Sequence, residues 1–249
     1  MKAWLLQCKF EMLRNLRNRR FFFFSILLPV GFYFLYVHLV GKAVVIDGVN
    51  WPTYYMISMA TFGVVGTGLN GLSSRVAYER TQGWVKLMQT TPQRASNYIT
   101  TKIAANVLLN ICEVAILFVA GAAVEHVTMG VGEWMLAAIT TILGGLVFIA
   151  LGILVGHLAG SDASQIVASI LYFLMSITGG LWMPVSTMPS VMRHIANFMP
   201  TYHLAHIAWN VLAGKGIAVT DIWVLLVYLV VFTGLAVYLA NRRSDARVA

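Results

Sequence analysis

Six long apolar runs separated by short polar stretches dominate the chain: residues 21–40, 53–74, 103–124, 134–156, 164–183 and 222–240. Each is close to the roughly twenty apolar residues that a helix needs to cross a hydrocarbon core. None contains Lys, Arg or Asp, and Glu113 is the single acid among them. The pattern predicts an all-α integral membrane fold, a single transmembrane domain over residues 1–249 with six transmembrane helices. Residues 1–20 follow a different pattern. Leu5, Cys8, Met12 and Leu16 share one helical face, with Gln7, Arg14 and Arg17 largely away from it and Lys9 near its edge. That suits an amphipathic helix lying in the membrane interface, or a basic anchor for the first span. Pro29 is expected to kink the first span. Two connections are long, residues 75–101 and 184–221.

Charge sets the orientation. The chain is 59% hydrophobic and 10% charged, with a mean hydropathy of +0.78, whereas a soluble domain carries roughly a quarter charged residues. The net charge is +8, but its cations are confined to short segments between the apolar runs, a topology signal and not a groove for nucleic acid. Of the 17 Lys and Arg, only Lys42, Arg193 and Lys215 fall on one side of the expected topology, leaving fourteen on the other. The excess predicts a multi-pass protein of the cell membrane with both termini in the cytoplasm. The first twenty residues alternate polar and apolar and do not read as a cleaved signal peptide. Cys8 and Cys112 imply neither a disulfide framework nor a metal site.

Polar and small residues inside the spans mark helix contacts. Gly63, Thr67 and Gly71 recur every four residues in the second span, and Gly152 and Gly156 form a GxxxG in the fourth. The partner of each face, in the same chain or in a second copy, stays open. In the third span Asn106, Asn110 and Glu113 share a face too polar for lipid, which should point into the bundle or at a pathway. Two readings stand: a structural hydrogen-bond cluster with a protonated Glu113, or a proton or substrate site.

The connection at residues 75–101 reads RVAYERTQGWVKLMQTTPQRASNYITT. Tyr78, Glu79 and Arg80 continue a helix past the bilayer, and Gly83 can break it. Trp84, Leu87 and Met88 offer an apolar face, and Pro92 closes the segment. Such a segment lies on lipid or docks a partner. The connection at residues 184–221 is too apolar for a solvated loop. It holds two helical pieces, about 189–198 and 201–213, separated at Pro200, and so suggests a re-entrant hairpin facing outward. His203 and His206 lie there at i, i+3, but no third ligand is in register, so interfacial histidines are expected and no metal.

The first connection, with Glu79, Arg80, Gln82, Gly83, Trp84, Leu87, Thr90, Thr91 and Pro92 in order, resembles the type 2 ABC exporter permeases of the multidrug and antibiotic-resistance kind. The hairpin resembles theirs through Gly180, Pro184, Pro189, Pro200 and Tyr202. Trp84 where that family often has Thr, Gln82 where it often has Glu, and Met199 where Asn is common are departures. The resemblance implies that Tyr78, Glu79, Arg80, Gly83, Trp84, Leu87, Thr91 and Pro92 belong to a coupling helix that docks on an ATPase. It also implies that Gly180, Pro184, Pro189, Pro200 and Tyr202 form an outer gate.

No GxxxxGK[ST] loop occurs, since the GK pairs at Gly41 and Gly214 are followed by Ala and Gly. The resemblance therefore implies a transport subunit, not an enzyme. ATP and Mg would sit on two copies of a separate ABC ATPase, and the permease would pair with itself or a related permease within membrane lipid. The expected cargo is a hydrophobic or amphipathic drug, peptide or lipid-like molecule. The rival reading is a stand-alone secondary transporter that uses Glu113 for ion coupling; a sensor or assembly subunit without transport also stays open. An intramembrane enzyme would need an HExxH, a GxSxG or paired acids in the spans, and none occurs.

Overall fold

The computed structural model describes residues 2–18, 23–83 and 95–245. The chain opens with α1 (Lys2–Arg17). A π-helical turn (Phe23–Leu27) leads into α2 (Leu28–Val40). Pro29 follows directly on the π-helical turn, and Leu27 keeps helical dihedrals (φ −68°, ψ −38°), so the helical run carries on through the proline with a π turn on its N-terminal side. A two-residue antiparallel hairpin, β1 (Val45–Ile46) and β2 (Val49–Asn50), interrupts the otherwise helical order. Its corner, Asp47–Gly48, has positive φ at both residues, the geometry a tight hairpin needs.

α3 (Trp51–Gly66), a π-helical turn (Thr67–Gly71) and α4 (Leu72–Thr81) follow as one helical run. All sixteen residues of α3 are buried, so this helix is the centre of the bundle. α2, α5 (Ala95–Val124) and α10 (Pro200–Leu212) pack against it. α6 (Val131–Gly144) and α7 (Leu146–Leu158) form a second run, broken at Gly145. α8 (Ser161–Thr178) lies on α4, and after it come a 3-10 turn (Val185–Thr187), α9 (Ser190–Ala196), α10 and α11 (Val219–Asp245).

Among the described residues three helices are long and apolar enough to cross a membrane, Tyr98–Val124, Val131–Leu158 and Val219–Ala240, with Ser25–Val40 a shorter apolar helix. These coincide with the first, third, fourth and sixth expected spans. The second is helical but carries Asn70 and several small polar residues, and it is enclosed by its neighbours instead of facing lipid. The fifth ends at Thr178, five residues before its expected limit, because Gly180 takes a left-handed φ of 83° and turns the chain. α1 turns Cys8 and Met12 toward the protein, while Leu6, Phe10 and Leu13, a second apolar row at i, i+4 and i+7, are exposed.

The GxxxG face of α7 meets the same chain. A Cβ on Gly152 would lie 2.2 Å from the carbonyl oxygen of Gly68, and one on Gly156 would lie 2.7 Å from that of Ser73. α7 therefore crosses the π turn and α4 at backbone contact, the close approach that small residues permit.

Candidate functional site

Trp84, Leu87, Thr91 and Pro92 lie outside the described residues, but both flanks of their segment are described. α4 continues to Thr81, and Gly83 (φ 71°) ends it. Glu79 projects from the last turns of α4 into the protein and is 4% exposed. Its carboxylate accepts bonds from Lys102 Nζ (2.8 Å), Arg14 (3.1 Å) and the Tyr98 hydroxyl. Glu11 of α1 joins the same cluster, paired with Arg75 at 2.9 Å and Lys102 at 3.3 Å. Burial alone would raise the Glu79 pKa, but Lys102, Tyr98 and Arg14 outweigh it and hold the carboxyl below its usual range. Arg80 donates to the carbonyls of His157 and Ala159 at the end of α7. Charged side chains of α1, α4 and α5, with α7 tied in through Arg80, thus clasp both flanks of the segment at 84–94. Tyr78 is half exposed and stands outside this clasp. Glu11, Arg14, Arg75, Tyr98 and Lys102 are members that the sequence pattern did not single out.

The polar face of α5 is buried as expected: Asn106, Asn110 and Glu113 are each at most 2% exposed. Its partner is the small-residue row of α3 and the π turn. Glu113 fills the notch left by Gly63, where a Cβ would lie 1.7 Å from Oε1, and Thr67 Oγ1 donates to Oε2 at 2.9 Å. The two patterns, read separately in the sequence, are the two halves of one contact. Asn106 bonds back to the Lys102 carbonyl (3.0 Å). The side-chain amide of Asn110 has no hydrogen-bond partner among the described residues.

The hairpin lies at the opposite end of the bundle, since Trp209 stacks on Tyr54 (4.5 Å) at the start of α3. Gly180 makes the sharp turn after α8, Pro184 precedes the 3-10 turn, Pro189 precedes α9, and Pro200 opens α10. Each proline therefore sits where no helical N–H is required. Thr201 Oγ1 donates to the Met175 carbonyl (2.5 Å), and Tyr228 of α11 donates to the Phe198 carbonyl (2.6 Å). Tyr202 stacks on His206 at 4.8 Å.

Asp221, at the start of α11, was not foreseen. It accepts from His203 Nδ1 (2.6 Å) and His206 Nδ1 (2.7 Å). His203 Nε2 also faces a carbonyl, that of Asn197 (2.8 Å). With acceptors at both ring nitrogens, only the imidazolium satisfies both bonds. The Asn210 amide nitrogen lies 3.2 Å from Nε2 and 3.3 Å from Nδ1 of His206. The trio is a hydrogen-bonded clamp between α10 and α11, and both Nδ1 atoms donate to the carboxylate.

Burial opposes the charge on His203, but the bonds to Asp221 and Asn197 outweigh it and raise its pKa above the ordinary value. The clamp is therefore complete below about pH 6.5, the free-imidazole value, and is lost as pH rises through the raised one. Thermal unfolding of the purified chain should fall over that rise. His203→Gln should be less stable at the acid end by about 1.5–3 kcal/mol, the range for a bond to a charged group, and should have a flatter profile. Equal pH slopes for the two proteins would refute the clamp.

The family model described as ABC-2 family transporter protein matches residues 47–238. A Bacillus subtilis (strain 168) protein with the provisional name of a transport permease, YvfS, is 30% identical over 234 residues. The match covers 94% of this chain and 95% of that protein. The chain belongs to the ABC-2 family of transporter proteins and is a membrane-embedded transport permease.

Proposed function

We propose that this ABC-2 permease is the membrane half of an ATP-driven exporter for a hydrophobic or amphipathic substrate. In this reading the chain crosses the membrane six times with both termini in the cytoplasm. α1 lies in the interface with Leu6, Phe10 and Leu13 toward lipid, and α9 and α10 form an outward re-entrant hairpin. Two permease chains pair, and each docks one copy of a separate ATPase through the segment around Trp84. ATP and Mg bind that partner. Closure of the ATPase pair moves the docked segment, and alternating access follows from differential binding to two states of the permease.

The observation that carries this reading is the clasp on both flanks of the 84–94 segment. A solvated loop needs no buried charges behind it, because burying them is costly unless they are paired. A segment that must deliver a displacement does need a stiff mounting. Glu79, Lys102 and Arg80 tie its ends to α1, α5 and α7. Glu113 fits the structural reading better than ion coupling, since it fills a closed notch on Gly63 and Thr67.

The test is co-expression with the ABC ATPase from the same genome and measurement of substrate-stimulated ATP hydrolysis. Trp84→Ala is expected to lower the coupled rate about tenfold or more, the loss of a buried aromatic anchor at an interface. Glu113→Gln, which keeps the shape and the Thr67 bond, should stay within a few-fold of wild type. Transport without any ATPase, abolished by Glu113→Gln, would reverse the assignment.

A further inference from the structure

At the hairpin end of the bundle a cavity of about 330 Å³ opens between the β1–β2 corner, α9 and the end of α10. Of the three cations that the charge pattern assigns to this end, Lys42 is paired with the buried Glu125 at 2.8 Å. The other two, Arg193 and Lys215, both line this cavity, and neither forms an ion pair among the described residues. Lys215 is held in position by its backbone. Gly214 (φ 70°) and Gly216 (φ 78°) flank it in left-handed conformations, and its N–H bonds back to the Asn210 carbonyl at 2.9 Å. That tight Gly-Lys-Gly turn folds the chain over the end of α10. Asp47, in the β1–β2 corner, is the one lining carboxylate, so the lining carries an excess of one positive charge. The indole of Trp209 and the ring of Tyr202 supply an apolar side.

We propose that this cavity binds the phosphate or carboxylate head of a small amphipathic ligand. Two cations lining a concavity that holds a single carboxylate leave a net positive charge that an oxyanion meets, and the aromatic side accepts the apolar part next to it. The volume is near the lower limit for small-molecule pockets, about 300 Å³, so it takes a head and its first apolar atoms, not a whole drug. The competing role for Lys215, balancing the carbonyl end of α10, predicts an effect on stability without an effect on binding. That the site is a stop on an export path rests on the exporter reading; the binding itself does not.

The experiment uses the full chain in nanodiscs of neutral phosphatidylcholine, without an ATPase, so failure of the exporter reading cannot mimic failure of the site. Phenyl phosphate, inorganic phosphate and phenol are titrated, with tryptophan fluorescence and calorimetry as readouts. Phenyl phosphate should bind tightest. Arg193→Gln and Lys215→Gln should each weaken it about tenfold, a plausible loss for one charge-assisted contact, and Asp47→Asn should tighten it several-fold. Thermal unfolding of the three variants, all at exposed positions, should match wild type. Competition by phosphatidylglycerol added to the nanodisc would identify the head as a membrane lipid's, and its absence would identify a soluble ligand. Phenol binding as well as phenyl phosphate, inorganic phosphate binding as tightly, or unchanged affinity in both glutamine variants would each overturn the proposal.

Discussion

Glu79→Gln is expected to destabilise the permease by about 3–5 kcal/mol, the cost of removing one partner from a buried ion pair, and to uncouple it from its ATPase. Lys102 is the reason for the size of the effect. Its side chain is 2% exposed, and without the Glu79 charge its remaining carboxylate is Glu11, at 3.3 Å and shared with Arg75. Arg14 and Tyr98 donate to the two different oxygens of the same carboxylate, and glutamine keeps only one of them as an acceptor. Because the Glu79 pKa is depressed, its stabilising contribution is fully present above the ordinary carboxylate range and fades as pH falls through the lowered value. The deficit of the variant should therefore be largest at neutral pH and shrink in acid. The double variant Glu79→Leu with Lys102→Met replaces the pair by apolar groups and should recover most of the stability. If the clasp transmits force, that double variant should stay uncoupled, since leucine at position 79 leaves Arg14 and Tyr98 without this acceptor on α4. Thermal unfolding and substrate-stimulated ATP hydrolysis, measured on both, separate the two effects. Full coupling in the double variant would mean that the clasp only holds the fold.

How much was legible in the sequence depended on the range of the interaction. Helices from apolar runs, the prolines that open α9 and α10, and the burial of Asn106, Asn110 and Glu113 all follow from local period and composition. The clasp does not, because its bonds join residues 19 to 91 positions apart, from Tyr98 with Glu79 to Lys102 with Glu11. Nothing in the spacing of isolated charges in a basic amphipathic helix says which of them turn inward. Asp221 was hidden for a related reason. It stands at the edge of the last span, and the third residue that would make sense of His203 and His206 lies on the next helix. The Asp47–Gly48 corner did carry a signal, since Asp-Gly is a strong short hairpin cue, but a reading tuned to long apolar helices passes over four strand residues. The small-residue rows were visible without their partners, and it took the fold to show that one receives Glu113 and the other receives a backbone.

That last contact sets the second large effect. Gly152→Leu is expected to prevent accumulation of folded permease, and Gly132→Leu should be tolerated. A side chain at Gly152 would begin 2.2 Å from the Gly68 carbonyl oxygen and 3.4 Å from the Leu69 Cα. Overpacking a core costs about 1–3 kcal/mol when neighbouring side chains can shift, but here the obstacle is the backbone of a helix whose other faces are buried. Gly68 is as constrained from its own side, with a Cβ 2.9 Å from Ile149 N, so neither helix can recede without moving the other. Nothing lies within 4 Å of a Cβ on Gly132, so the same substitution there tests helix propensity and solubility alone. The yield of monodisperse protein after membrane extraction, with its thermal midpoint, is the measurement. Equal yields would mean that α7 does not cross the π turn at this distance. Gly152→Ala asks a finer question at the same point. A methyl group forces the helices apart by less than a leucine does, so a variant that folds but turns over slowly would mark this crossing as a contact that slides during transport. One that folds and works normally would mark it as fixed packing.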